Sequence, residues 1–254
     1  MNSAEGGVKV RRVDAVRGWQ WIAEGFGLFR KNPLVWIVLF VIYFLIIVVV
    51  SIVPLLGPML MSLLAPVFTA GFMLACRDVE KGEELELGYL AAGFRQHAGQ
   101  LVTVGGFYLI GSVIIVGIMM MAGGGAVLGA AAVNQMQGAD PNQTMVGAMG
   151  GMTIALLVAL ALLVPLLMAY WFAPALVVFH GMPALQAMRL SFLGCLRNLA
   201  PFLVYGTISF ALILVAMIPA GLGMLLLVPV LNASIYAGYK DIFGAGEETA
   251  DRIA

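Results

Sequence analysis

The sequence predicts an all-α, polytopic membrane protein: six transmembrane helices arranged as three repeats of an interfacial amphipathic helix plus a helical hairpin. Three observations carry this. The 254-residue chain is 62% hydrophobic and 10% charged, against roughly 25% charged in soluble domains. Its apolar runs match the ~20 residues needed to cross a hydrocarbon core. A proline motif also recurs, as Leu63-Leu64-Ala65-Pro66, Leu162-Leu163-Val164-Pro165 and Leu226-Leu227-Val228-Pro229, with Ala70, Ala169 and Ala233 four residues on. Cys76-Arg77-Asp78-Val79 then aligns with Tyr239-Lys240-Asp241-Ile242, and Gly181 falls opposite Gly82. Shared flanks of this kind mark an internal repeat.

Residues 1–13, with Lys9, Arg11 and Arg12, read as a loose basic tail; residues 14–240 form one membrane domain and 241–254 a polar tail. Asp14 is placed to cap a helix running to about Arg30. Val16, Trp19, Ile22, Ala23, Phe26 and Phe29 recur at helical spacing opposite Arg17, Gln20, Glu24 and Lys31, the pattern of a helix lying in the membrane interface. Asn32-Pro33 ends it, because proline disfavours helix at the residue before it. Span one covers about 34–53, and Pro54 with Gly57-Pro58 turns the chain into span two, about 59–76. Residues 77–99 begin charged and become amphipathic from Leu87 to Phe94, ending in Arg95. Span three, about 101–121, leads into a Gly- and Ala-rich insertion, 122–150, with a polar tip around Asp140-Pro141. Span four covers about 152–172. Gly181-Met182-Pro183 opens the third amphipathic segment, Ala184 to Arg197, and spans five and six cover about 199–218 and 222–239.

Pro66, Pro165 and Pro229 take the same place in the second span of each repeat and predict a shared helix bend. Proline is tolerated there because neighbouring helices re-satisfy the freed carbonyl. Arg30, Arg95 and Arg197 end the three interfacial helices.

The 13 Lys and Arg residues set the orientation. Every one lies before span one, between spans two and three, between spans four and five, or after span six. Cytoplasmic loops carry the Lys/Arg excess, so both termini and all three interfacial helices are expected on the cytoplasmic side. Arg17, Arg30, Lys31, Arg95, Arg189 and Arg197 are candidates for lipid headgroup contact, since anionic headgroups attract each such cation by about 1 kcal/mol.

No motif for catalysis is legible. The span centres hold no Asp, Glu, Lys, Arg or His, which argues against a proton-coupled pump. Asn232 is the intramembrane polar residue most costly to expose to lipid, and a hydrogen bond across a helix interface, or to a carbonyl freed by Pro229, would satisfy it. His97 and His180 stand far from cysteine or acidic partners at metal-ligand spacing. Gly123-Gly124-Gly125 lacks the Lys-Ser/Thr of a phosphate loop. The acidic run Glu80 to Glu86 reads as a solvated loop. No metal, cofactor or nucleic-acid partner is expected, and no secretory signal is visible. Gly147, Gly151, Ala155 and Ala159 share one helix face, suited to packing within the chain or to a homodimer. Trp19, Trp21 and Trp36 are candidate interface anchors. Cys76 and Cys195 read as unpaired thiols.

Two stretches carry a resemblance: Gly25-Phe26-Gly27-Leu28-Phe29-Arg30-Lys31-Asn32-Pro33, and Met182-Pro183-Ala184-Leu185-Gln186-Ala187 with Ser191 and Arg197-Asn198. The chain resembles stand-alone proteobacterial six-span membrane proteins of unknown function, a group similar to the membrane domain accompanying some glycerophosphodiester phosphodiesterases. The resemblance implies the topology and a bacterial inner-membrane location. It implies no reaction, because the catalytic barrel of those enzymes is absent. The expected function is therefore a lipid-contacting or accessory, membrane-organising protein rather than an enzyme. The alternative is a transporter or channel for a lipid or apolar solute, which a deep polar cavity between the proline-bearing spans would favour.

Overall fold

The computed structural model describes residues 8–137 and 141–244, and no strand occurs among them. Residues 1–7, Asp140 and the tail from 245 onward lie outside the described residues. Two compact units result, Met1–Gly105 with Ala169–Ala254, and Gly106–Met168.

The helices follow the chain as α1 (Arg17–Lys31), α2 (Pro33–Ser51), α3 (Leu56–Lys81), α4 (Tyr89–Arg95), α5 (Ala98–Gln137), α6 (Pro141–Trp171), α7 (Ala173–His180), α8 (Ala184–Arg197), α9 (Leu199–Met217) and α10 (Met224–Phe243). Five stretches among the described residues are long and apolar enough to cross a membrane: Pro33–Ser51, Leu56–Lys81, Ala98–Gly129, Met145–His180 and Leu199–Met217.

Local chemistry sets most boundaries. A single residue joins α1 to α2 and α8 to α9: Asn32 at φ −145°, ψ 63° and Asn198 at φ −123°, ψ 36°. Pro33 follows at the first position of α2, where its missing N–H costs nothing. Gly82 and Gly181 end α3 and α7 at φ +91° and +63°, a left-handed conformation that glycine adopts without steric cost. Pro66, Pro165 and Pro229 all lie inside helices that continue through them.

Several boundaries differ from the sequence expectation. Asp14 gives no side-chain cap to α1; only its carbonyl accepts from the Arg17 amide, at 3.0 Å. α3 runs on through its charged turn to Lys81, because α4 packs against it and the Asp78 carboxylate is met by Arg77 and Tyr89. The 122–150 insertion is helical wherever it is described: α5 has 40 residues, about 60 Å at 1.5 Å per residue, roughly twice a hydrocarbon core. α10 continues into the expected polar tail as far as Phe243. Residues 8–13 of the expected N-terminal tail are held in place by backbone hydrogen bonds to Asn198 and Ile242.

In the larger unit the C-terminal halves of α3 and α10, with α7, form the core. Met73, Cys76, Leu176, Val177, Tyr239 and Ile242 are buried there. Phe40 stacks on Phe72 with ring centroids 4.4 Å apart, and Phe179 lies 5.1 Å from Tyr239. The short helices dock on this core: α1 on α10 and α9, α4 on α3, and α8 on α7. α1 buries Gly18, Trp21, Ile22, Gly25, Leu28 and Phe29; α8 buries Ala184, Ala187, Met188, Ser191, Gly194 and Cys195. Both sets follow the spacing of one helical face.

In the smaller unit α5 and α6 lie side by side. A Cβ on Gly111 would meet the Leu166 side chain at 2.9 Å, and one on Gly123 would lie 3.7 Å from the Ala155 Cβ. Ala155 and Ala159 are buried, whereas a Cβ on Gly147 would meet nothing within 4 Å.

A basic surface on the docked helices

The short helices gather the basic residues at one end of the larger unit, where the C-terminal ends of α3, α7 and α10 also meet. Lys31 reaches from α1 to the end of α3, its Nζ donating to the carbonyls of Val79 (2.9 Å) and Glu80 (3.3 Å). The Tyr236 hydroxyl on α10 donates to Glu80 Oε2 at 2.9 Å, and Lys240 pairs with the other Glu80 oxygen at 2.6 Å. His180 Nε2, at the end of α7, lies 2.7 Å from the Tyr239 hydroxyl.

Two of the six candidate headgroup residues are engaged inside the protein. The Arg17 guanidinium pairs with Asp241 through Nε and with Glu24 through Nη2 at 2.9 Å, and donates to Gln20 Oε1 at 2.6 Å. The Asp241 hydrogen bond, ahead of the surrounding carboxylate charge, raises the Arg17 pKa further. Lys31 serves as a cap: its ammonium meets the last carbonyls at the C-terminus of α3, the position that favours a cation.

Arg30, Arg95, Arg189 and Arg197 are different. All four are exposed, and none has an ion-pair partner among the described residues. Arg30, Arg95 and Arg197 stand in the last turns of α1, α4 and α8. Large apolar side chains on the same helices are exposed beside them: Trp19 and Phe26 on α1, Phe94 on α4, Leu185 and Leu196 on α8. The Arg30 guanidinium lies 5.8 Å above the Phe26 ring. A surface of unpaired guanidinium and bare apolar side chain suits the boundary between headgroup and acyl chain, where such helices bury their apolar face.

Three predicted placements change. Trp21 and Trp36 are 1% and 0% exposed and belong to the core; of the three candidate anchors on these helices Trp19 alone is exposed. The Asn232 Oδ1 is buried with no hydrogen-bond partner among the described residues, so the expected bond across the helix interface is not made. Arg30, Arg95 and Arg197 do end their helices, but not in one docking register. Gly93 packs on the Val67 carbonyl as Gly25 packs on the Val230 carbonyl, 68 residues apart, whereas Arg30 and Arg95 are 65 apart.

Site chemistry beyond charge is sparse. No group of three or more His, Cys, Asp or Glu side chains converges among the described residues. An open depression of about 330 Å³ lies between the acidic loop and α4, lined by Glu83, Glu84, Glu86, Tyr89 and Arg95. Burial, then the hydrogen bond to Asp78, pushes the Tyr89 phenol up to about 12. Burial likewise pushes the Cys195 thiol up to about 12, away from thiolate reactivity.

Sequence reasoning missed the residues that fasten the short helices. Trp21 Nε1 donates to Asp241 Oδ2 at 2.6 Å, and the Tyr89 hydroxyl donates to Asp78 Oδ2 at 2.9 Å. The signal was present, since Asp78 and Asp241 occupy the same place in the aligned motifs; what each carboxylate holds depends on which helix docks there.

A family model described as a domain of unknown function (DUF7847) matches residues 19–248. A probable inner membrane protein of Burkholderia thailandensis is 34% identical over 266 residues, covering 95% of this chain and 96% of the relative. No solved structure matches. These matches, with the apolar helices, establish an integral, multi-pass inner-membrane protein. They carry no link to the glycerophosphodiester phosphodiesterases.

Proposed function

The chain belongs to this DUF7847 family of domains of unknown function, and from that premise we propose a non-enzymatic role: it contacts anionic phospholipid at the cytoplasmic face and so organises the membrane or an accessory complex. The observation that carries the reading is the set of exposed, unpaired guanidinium groups at Arg30, Arg95, Arg189 and Arg197, each on a docked helix that also exposes large apolar side chains. Each such cation adds about 1 kcal/mol of attraction to an anionic leaflet.

The proposal includes six spans, both termini in the cytoplasm, and three repeats. α10 serves as the sixth span: its 20 residues make about 30 Å of helix. The repeat is supported by coincidences at fixed offsets. All six buried positions of α1 recur in α8 166 residues later, as do the junction residues Asn32 and Asn198. The turn glycines Gly57 and Gly223 pack on Val50 and Ala216 at that same offset. Transport is the less favoured reading, because buried side chains fill the space among α3, α7 and α10.

Changing Arg30, Arg95 and Arg197 together to Gln tests the lipid reading. Lys9, Arg11, Arg12, Arg17 and Lys31 remain to set topology. The protein is purified in native lipid discs and its bound lipid measured by mass spectrometry. The ratio of anionic to zwitterionic lipid is expected to fall while the protein stays folded and inserted. An unchanged ratio refutes lipid recognition and leaves the arginines as topology signals.

A further inference from the structure

Three helices, α1, α4 and α8, dock on three partners, α10, α3 and α7, but the chain joins only two of these pairs directly. Residues 82–88 lead from α3 to α4, and residues 181–183 lead from α7 to α8. The third pair is α1 with α10, at opposite ends of the described chain. Its docking nevertheless copies that of α4 on α3. Gly25 packs on the Val230 carbonyl and Gly93 on the Val67 carbonyl. Trp21 donates to Asp241 and Tyr89 to Asp78. Both comparisons hold at one offset in the short helices, 68 residues, and one in the long helices, 163.

Where the α3–α4 pair has a covalent loop, the α1–α10 pair has residues 8–13. In the joined pair the Val79 carbonyl accepts from the Gly82 amide at 3.2 Å as the chain leaves α3. In the unjoined pair the corresponding carbonyl, Ile242, accepts from the Arg11 amide at 2.9 Å. Asn198, 1% exposed, holds the same segment from the other side: its Oδ1 accepts from the Val13 amide at 2.9 Å and its Nδ2 donates to the Arg11 carbonyl at 2.9 Å. All three bonds address backbone, so the segment is held by its path rather than by its side chains. Asp241 completes the fastening by taking both Arg17 Nε and Trp21 Nε1.

We propose that the α1–α10 seam is the non-covalent closure of a ring of three docked pairs, latched by Asp241 and by Asn198 on residues 8–13, and that it is the seam at which the ring opens. The reason is connectivity. An undocked α4 or α8 stays within a few residues of its partner, so the tether returns it at high effective concentration. No direct link from α10 restores α1. This inference does not depend on lipid recognition, though opening would move α1 and its Arg30.

The test is hydrogen exchange on the full chain in lipid discs, comparing Asp241→Asn with Asp78→Asn. Asp241→Asn is expected to speed exchange in residues 17–31 by about tenfold or more, the loss of a charge-assisted bond. Asp78→Asn should speed residues 89–95 by a smaller factor. Joining Ala254 to Met1 with a split intein should return α1 of Asp241→Asn to near the wild-type rate and leave α4 of Asp78→Asn unchanged. Asn198→Ala, whose side-chain hydrogen bonds go to Arg11, Val13 and Gly194, gives the same comparison should Asp241→Asn not fold; its tryptic cleavage at Lys9, Arg11 and Arg12 should also accelerate. The proposal is overturned if α1 exchanges at the wild-type rate in the linear variants, or if cyclisation leaves their elevated rate unchanged.

Discussion

Gly25 and Gly27 lie two residues apart in α1 and meet opposite surroundings. A Cβ on Gly25 would stand 2.6 Å from the Ser234 amide nitrogen and 2.6 Å from the Val230 carbonyl oxygen, both backbone atoms that cannot rotate away. A Cβ on Gly27 would meet nothing within 4 Å. Gly27→Ala should therefore stabilise the protein by about 1 kcal/mol, because alanine loses less conformational freedom than glycine on entering a helix. Gly25→Ala gains the same amount but must push α1 from α10 by roughly 0.8 Å to restore an ordinary contact distance. Overpacking of this kind costs about 1–3 kcal/mol. The displaced helix also strains the Trp21–Asp241 bond, and a hydrogen bond to a charged group is worth about 1.5–3 kcal/mol. The balance is a net loss of about 1.5–5 kcal/mol. Melting followed by loss of the monodisperse peak on size exclusion should place Gly25→Ala below and Gly27→Ala at or above the wild type. A Gly25→Ala protein that melts as high as the wild type would refute the close approach of α1 to α10.

Other expectations are shorter to state. Asn232→Leu removes a buried, unbonded carbonyl oxygen at similar volume and should raise the melting temperature, by about 1 kcal/mol of stability; a lower melting temperature would mean that Asn232 is bonded in the membrane. Tyr89 is held in its neutral form when docked, with its pKa raised from 10.0 to about 12, so the docking of α4 is intact below pH 10 and weakens as pH rises through that interval. The tyrosinate absorbance lost in Tyr89→Phe should accordingly titrate near 12, and a lost component titrating near 10 would contradict this. For orientation, single cysteines at Gln137 or Asn142 should react with a membrane-impermeant thiol reagent in whole cells while those at Glu84 or Glu248 do not; the reverse labelling would invert the topology.

Some of the candidate site was legible only in part. The sequence identified the six basic residues, yet nothing in their spacing separated Arg17 and Lys31 from Arg30, Arg95, Arg189 and Arg197. Arg17 finds Asp241 224 residues away, and Lys31 finds the carbonyl end of α3 48 residues away. The same limit applies to Trp21 and Trp36: a tryptophan near a membrane boundary reads as an anchor until a helix from elsewhere covers it. The length of α5 was hidden for a different reason. Its glycines lower helix propensity and its small side chains leave no amphipathic periodicity, and packing of Gly111 on Leu166 and of Gly123 on Met152 and Ala155 outweighs this in the hairpin.

The sequence by itself determined that the chain is helical and embedded in a membrane, where its short helices lie along it, and where its prolines fall. Those properties depend on local composition and periodicity, because apolar length and helical spacing act over neighbouring residues. Tertiary structure alone decided which partner each docked helix meets, which carboxylates fasten them, and which arginines stay bare. The carboxylates of Asp78 and Asp241 carry the same sequence context, and they come to hold Tyr89 and Trp21 because α4 follows α3 directly whereas α1 reaches α10 from far along the chain. A hydrogen bond across 220 residues leaves no local periodicity to read, since its partners are chosen by packing rather than by spacing.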